Sequence, residues 1–278
     1  MITSVVFSKD RPLQLDLTLK SIKKNFGLSK NIKVIYKTEY ENSYEVLKVE
    51  HPDVIFIKQG AYLVDSLLLA SQGEYICYFT DDNIFFQKSE LTELDLKEMK
   101  ASASCISLRL GININRRDYG TGILELDNIP LHIGTNSTKN MLVWNRLSVC
   151  PGGYWSYALS VDGHIFPQES ISFILNTMKH WPETYSSLQT PNKFEAMLQR
   201  FFFEVSPYMM SEKHSRVVNS PNNRVQDEYE NLNGTKFSYT PKLLNDLFLS
   251  GERICLEKLD FKGICCPHYE INLLEGLV

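Results

Sequence analysis

Four short runs of β-branched and aromatic residues, each but the last followed by a helical period, fill residues 1–80. This alternation constrains the fold more than any other feature of the chain. The runs cover residues 2–7, 32–36, 54–57 and 75–79, and their length and composition read as buried strands. Between them lie helical stretches. The first starts at Pro12, whose missing N–H suits a first helical turn, and runs to about residue 26, where Gly27 supplies a stop. Leu13, Leu17, Lys20 and Ser21 share one of its faces. The next helices are predicted over 42–50 and 61–71, the latter closed by Gly73. A βαβαβαβ order with short connections predicts an α/β fold, a mainly parallel twisted sheet flanked by helices. In such sheets ligands bind beyond the carboxyl ends of the strands. Two of those ends carry polar groups here, Ser8-Lys9-Asp10-Arg11 after the first strand and Asp81-Asp82-Asn83 after the fourth.

The rest is less regular. Helices are expected over 90–101, 169–178, 193–203 and 241–248, and strands over 105–110, 141–144 and 157–161. Residues 113–140 are rich in Gly, Asn, Asp and Thr and read as loop with short strands. Residues 219–233 contain Pro and several Asn without period and read as a mobile loop; residues 271–278 read as a tail. The expected organisation is residues 1–105 as the ligand-binding half ending in the Asp-Asp-Asn motif, 106–210 as a catalytic half of the same domain, and 211–278 as an extension with a lid loop.

Charge and cysteine usage exclude some classes. A net charge of −4 argues against a protein that coats nucleic acid, which needs a basic excess. The cysteines, Cys77, Cys105, Cys150, Cys255, Cys265 and Cys266, include no CxxC pair, which argues against a zinc ribbon or a disulfide framework. The opening residues lack the form of a secretory signal, and no apolar run approaches a membrane span. The expectation is a cytoplasmic protein, with peripheral contact at a membrane left open. The oligomeric state is not legible.

The acidic strand end carries the chemistry. Two adjacent carboxylates at the tip of an apolar strand repel unless something neutralises them. A hard divalent cation, Mg²⁺ or Mn²⁺, does so through oxygen ligands, and can clamp a diphosphate and stabilise a leaving group. The same tripeptide also suits a solvated turn closing a strand.

At these residues the chain resembles the nucleotide-sugar glycosyltransferases of the GT-A fold, nearest the large family 2 type. Val5-Val6-Phe7-Ser8-Lys9-Asp10-Arg11-Pro12-Leu13 with Leu17, Leu19 and Ser21-Ile22 looks like that family's first strand, nucleotide loop and first helix. Asp81-Asp82-Asn83 is similar to its DxD-type metal motif, with Asn83 where a second Asp is usual. Pro191-Asn192-Lys193-Phe194-Glu195-Ala196-Met197-Leu198 is similar to the xED region that supplies the base of inverting members, but has Glu-Ala in place of Glu-Asp. The likeness is good over residues 1–90, loose over 140–203 and absent beyond.

The resemblance implies a nucleoside-diphosphate-sugar donor bound by Ser8, Asp10 and Arg11, with Arg11 or Lys9 near phosphate. Glu39 would meet ribose or base, and Lys58, Asp65 and Arg109 are further donor-site candidates. An Arg within an apolar strand needs a partner, so Arg109 suits a structural ion pair equally well. The implied metal ligands are Asp81, Asp82 and Asn83, with His214 as a third type of ligand from the C-terminal region. An inverting transfer needs a carboxylate within reach of the acceptor hydroxyl. Glu195 ranks first, as a residue opening a helix whose N-terminus favours an anion; Asp162 and Glu169 are alternatives. The aromatic residues Trp144, Tyr154, Trp155, Tyr157, Trp181 and Tyr185 could pack on the C–H faces of a sugar, or form ordinary core.

The expected function is therefore a metal-dependent glycosyltransferase acting on a hydroxyl of a glycan, lipid-linked or protein acceptor, with inversion as the leading expectation and a retaining enzyme without such a base left open. One alternative is a non-catalytic glycan- or nucleotide-binding protein on the same scaffold. Another is a sugar-phosphate nucleotidylyltransferase, which the lack of glycine between Ser8 and Pro12 disfavours.

Overall fold

In the computed structural model of the chain, which describes all residues except 118–123, 128, 150, 202, 226–233, 235 and the side chains of 182–184, the first half follows the alternation. Strand β1 (Ile2–Lys9) is buried along all but its last residue. It pairs in parallel with β2 (Ser29–Lys37) on one side and β4 (Tyr75–Thr80) on the other, and β3 (Val54–Lys58) pairs in parallel with β2. Helices α1 (Pro12–Asn25), α2 (Glu41–Glu50) and α3 (Leu63–Ala70) connect them.

Beyond β4 the direction of pairing changes. A short β5 (Asn83–Phe85) leads to α4 (Glu93–Ser102), β6 (Ile106–Ser107), the β7 (Arg116–Arg117) and β8 (Glu125–Leu126) pair, β9 (Gly134–Thr135) and β10 (Met141–Asn145). Then come β11 (His164–Pro167), α5 (Gln168–Lys179), α6 (Pro182–Ser187), α7 (Pro191–Leu198), β12 (Tyr208–Glu212), β13 (Val217–Asn219) and α8 (Pro241–Leu249). Among the described residues the main sheet has nine strands in the order β3-β2-β1-β4-β11-β6-β12-β10-β9. β11 runs antiparallel to both β4 and β6, while β12 is parallel to β6. The α/β class holds, with a parallel half and a mixed half.

Several predicted elements shift. Residues 157–161 form no strand, although Ala158, Leu159 and Val161 are buried. The strand begins after Gly163, whose φ of 66° turns the chain and whose N–H reaches the Tyr78 carbonyl. The expected strand 105–110 pairs only at Ile106–Ser107. The helix expected from 193 is α7, which starts at Pro191 under a Thr190 cap and ends at Leu198. The helix expected from 90 is α4, set by a capping box between Thr92 and Asp95. The expected mobile loop begins inside β13, and Asn222 and Asn223 are buried; residues 226–233 lie outside the described residues.

Two packing features position the strand ends. Helix α1 is buried on more than one face because α8 packs on it and the turn after β4 rests against it. Its buried polar groups serve that turn: Thr18 Oγ1 lies 2.9 Å from the Asp81 carbonyl and 2.8 Å from that of Asn83, and Asn25 donates to the Phe85 carbonyl. On the other side Phe194 of α7 is fully buried against Tyr78 (ring centroids 5.6 Å apart) and Phe7 (6.4 Å). Full burial of such a ring contributes about 1.5–3 kcal/mol, and it fixes the residue that follows it, Glu195.

Among the described residues Cys77, Cys105, Cys255 and Cys265 are free thiols; Cys150 lies outside the described residues. Among the described residues no helix is long and apolar enough to cross a membrane.

Candidate active site

Parallel pairing of β1 with β4 puts the two polar strand ends side by side. The Asp81 carboxylate is held by three hydrogen bonds there. Its Oδ2 accepts from Ser8 Oγ at 2.8 Å and from the Lys9 N–H at 3.0 Å, and its Oδ1 accepts from Arg11 Nη1 at 2.9 Å. The same Arg11 nitrogen donates to Asp82 Oδ2 at 2.8 Å. Asp82 Oδ1 accepts from Asn219 Nδ2 at 2.8 Å. Asp81, Asp82 and Arg11 are all buried. Burial disfavours charge on Arg11, but the two carboxylates outweigh it and hold the guanidinium above its ordinary value. Burial pushes Asp81 up to about 6, against the pull of Arg11 and with the help of Asp82.

Asp10 closes the loop between β1 and α1 with a left-handed φ of 55°, a conformation that a short polar side chain tolerates. Its carboxylate accepts from the Glu39 N–H at 2.7 Å, which ties the ends of β1 and β2 together.

A second acidic group adjoins the first. Asp162, in the turn before β11, accepts from Thr80 Oγ1 at 2.8 Å, and Asn219 bridges Thr80 and Asp82. Arg109 Nη1 lies 3.4 Å from Asp162 Oδ2, and His268 Nε2 lies 3.6 Å from the same oxygen. His268 Nδ1 in turn meets the Tyr154 hydroxyl at 3.1 Å, and the Arg109 guanidinium stands 5.5 Å over the Tyr154 ring. Burial would raise Asp162, but the bond to His268 and the charge of Arg109 hold it well below the ordinary carboxylate range. Glu195 accepts from the Val161 N–H at 3.1 Å. Burial and then the negative charge of Asp162 raise its carboxyl above the ordinary value. Two neighbouring carboxyls are thus driven apart, one fixed as the anion and one made more basic.

The structure brings together Ser8, Arg11, Asp81, Asp82, Asp162 and Arg109 as one bonded network, with Glu195 beside Asp162 and Asp10 and Glu39 at its rim. Asn83 is buried, its Oδ1 accepting from the Thr80 N–H at 2.9 Å and its Nδ2 lying 3.5 Å from Asp162 Oδ1. Lys58 is exposed and paired with Glu41, and Asp65 is exposed and accepts from Tyr185. His214 is exposed on the turn between β12 and β13, where its backbone lies against Gly111. The histidine that the C-terminal region delivers to the site is His268. Glu169 is separated from the site by topology: β11 runs antiparallel to β4, so Pro167 pairs with Tyr75 at the opposite end of that strand. There Glu169 pairs with Lys100 at 2.9 Å. Glu195 lies in the second turn of α7, not the first, so the bond from Val161 rather than a helix terminus positions it.

Trp144 and Trp155 are fully buried, edge to face at 4.9 Å, and each indole N–H finds a carbonyl, so both belong to the core. Trp181 stacks on the buried Phe201, and the half-buried Tyr185 meets Tyr62 with the two rings tilted. Of the aromatic candidates, Tyr154 enters the site.

A cation fits between Asp81 and Asp82: both present hard oxygens, and a positively charged nitrogen already lies within 2.9 Å of each. Elsewhere Asp16, Glu50 and His51 bring three ligand atoms within 4.8 Å of one another. Asp16 there bonds His51 at 2.9 Å and Lys20 at 2.7 Å, and Glu50 pairs with Arg253, so the group braces α1 and α2 through protein contacts.

No family model matches the chain, and no curated protein matches it by sequence. Solved structures match by fold. S. aureus TarS, a GT-A glycosyltransferase, is 11% identical with a TM-score of 0.50, over 80% of this chain and 37% of TarS. Its 1–349 fragment in complex with UDP gives 11% and 0.48, over 76% of this chain and 57% of the fragment. The 4-diphosphocytidyl-2C-methyl-D-erythritol synthase of Anaerococcus prevotii gives 11% and 0.42, over 90% and 96%. The chain spans little more than a third of TarS. At this identity the likeness is one of fold, an α/β architecture of the GT-A type.

Proposed function

We propose that the chain is a glycosyltransferase that moves a sugar from a nucleoside-diphosphate donor to a hydroxyl of a carbohydrate-bearing acceptor, with inversion. The observation that supports it most is the junction, through Thr80 and Asn219, of a paired-aspartate strand end with a second pair of carboxyls, Asp162 and Glu195. A transfer of this type needs both: anionic oxygens where a diphosphate is held, and one carboxylate that takes a proton from the acceptor.

In this reading Ser8, Asp10, Arg11 and Glu39 contact the nucleoside and its phosphates. Asp81 and Asp82 would hold Mn²⁺ or Mg²⁺, which supplies charge compensation on the departing diphosphate when bound. Glu195 accepts the acceptor hydroxyl's proton, since its environment raises its basicity. Asp162 stays ionised and keeps Arg109 and His268 oriented toward the site. Arg109 is buried, and its Nε has no hydrogen-bond partner among the described residues, which leaves a donor for a sugar or phosphate oxygen. Tyr154 offers a ring face for a sugar.

The test is release of nucleoside diphosphate from a panel of nucleotide sugars with Mn²⁺ present. Turnover of at least one donor by the wild type, with loss in Asp82→Ala, is the expected result. Binding of a donor with no turnover, with or without acceptors, would instead support a non-catalytic binding protein.

A further inference from the structure

The charge that faces Asp81 and Asp82 belongs to the chain itself. One nitrogen of Arg11 bridges the two carboxylates at 2.9 and 2.8 Å, the place that a shared cation would take. The rest of the guanidinium is clamped. Its Nε donates to Asn223 Oδ1 at 2.6 Å and its Nη2 to the Asn223 carbonyl at 2.5 Å. Asn223 Nδ2 in turn donates to Gln14 Oε1 at 3.1 Å. The segment carrying Asn223 is itself fixed: the Ser220 N–H reaches the Asp82 carbonyl, Asn222 the Ile271 carbonyl, and Lys9 Nζ the Val225 carbonyl.

We infer that Arg11, seated by Asn223, is a built-in competitor for the divalent cation at Asp81 and Asp82, and that cation and diphosphate bind cooperatively because the diphosphate gives the displaced guanidinium a new anionic partner. The inference rests on the reading of this strand end as the donor site. A cation arriving alone would leave Arg11 buried without its carboxylates, which is strongly unfavourable. A diphosphate arriving with it offers paired oxygens, a geometry that a guanidinium matches with two parallel hydrogen bonds. Linkage requires the effect to be mutual: whatever factor the diphosphate adds to cation affinity, the cation adds to diphosphate affinity.

The experiment is a titration with Mn²⁺, free ion followed by electron paramagnetic resonance, on wild type, Arg11→Met and Asn223→Ala, each alone and with UDP, CDP, GDP or ADP. Arg11→Met is expected to bind Mn²⁺ alone about tenfold or more tightly than wild type, in the range of ordinary coupling factors. Asn223→Ala, which keeps the charge and loosens its seat, shifts affinity in the same direction by less, and decides the matter if Arg11→Met does not fold. A diphosphate tightens Mn²⁺ binding in the wild type and loses that effect in Arg11→Met. Equal affinity for Mn²⁺ alone in wild type and both variants, or no binding by any of them, overturns the inference. If the variants tighten Mn²⁺ but no diphosphate has an effect, the competitor role stands and the cooperativity is refuted, while the nucleotide-sugar reading is decided separately by donor turnover.

Discussion

Glu195 and Asp162 are close enough to repel, yet their surroundings assign them different protonation behaviour. Glu195 gains basicity from burial and from Asp162; Asp162 keeps its charge through His268 and Arg109. Activity is therefore expected to fall with acidity through a midpoint above the ordinary glutamate value, as Glu195 takes a proton. Glu195→Gln should lower kcat by about 10²–10⁴-fold, the usual contribution of a positioned base, and remove that acidic limb from the pH profile. An unchanged limb in Glu195→Gln would assign the base to another group. A second titration concerns stability. His164 is buried with Nδ1 2.8 Å from the Ala158 carbonyl, and burial first, then the charge of Arg109, lowers its pKa to about 3. The unfolded chain binds a proton near pH 6.5 that the folded chain refuses until about pH 3. His164 thus supports stability above about pH 6.5 and loses that support as pH falls through this window. Asp81 acts in the opposite sense: its raised pKa weakens the fold as pH rises from about 4 to 6. The separate effect of His164 is read from His164→Gln, whose melting temperature should fall less than that of wild type between pH 7.5 and pH 5.

At the scale of elements, α7 delivers Glu195 because Phe194 is locked between Tyr78 and Phe7. Phe194→Ala should cost about 3–5 kcal/mol in denaturant unfolding, a usual value for a buried ring, and should impair turnover beyond what stability explains. Thr92→Ala, which breaks the capping box of α4, should cost about 1 kcal/mol and leave turnover unchanged. These elements differ in how far the sequence revealed them. Thr190-Pro191 and Thr92 with Asp95 are helix-start chemistry, local and readable. β11 was not readable, because residues 157–161 and 164–167 are both short buried runs. Burial alone does not say which run joins a ladder, and the Gly163 turn that decides it has meaning only beside the Tyr78 carbonyl. The two indoles of Trp144 and Trp155 could equally have lined a sugar site; only their mutual packing shows that they are core.

Across the whole molecule, the parallel half was legible because hydrophobic period and stop signals are local. What completes the site comes from far along the chain and carries no local pattern. Asn219 reaches Asp82 because β13 pairs with β5, and His268 reaches Asp162 because its stretch pairs with Asn219. No spacing rule distinguishes His268 from His214. The path of this return depends on a close approach at Gly111, where an added Cβ would lie 2.5 Å from the Ser215 nitrogen. Gly111→Ala should therefore lower the melting temperature and weaken ligand binding together. The most direct test of the central claim is calorimetric titration of UDP, CDP, GDP and ADP with Mn²⁺ into wild type and into Asp82→Ala of unchanged circular dichroism. Saturable binding of one diphosphate to the wild type, lost in Asp82→Ala, is the predicted result. Binding of none of them, or equal binding to both proteins, would contradict it.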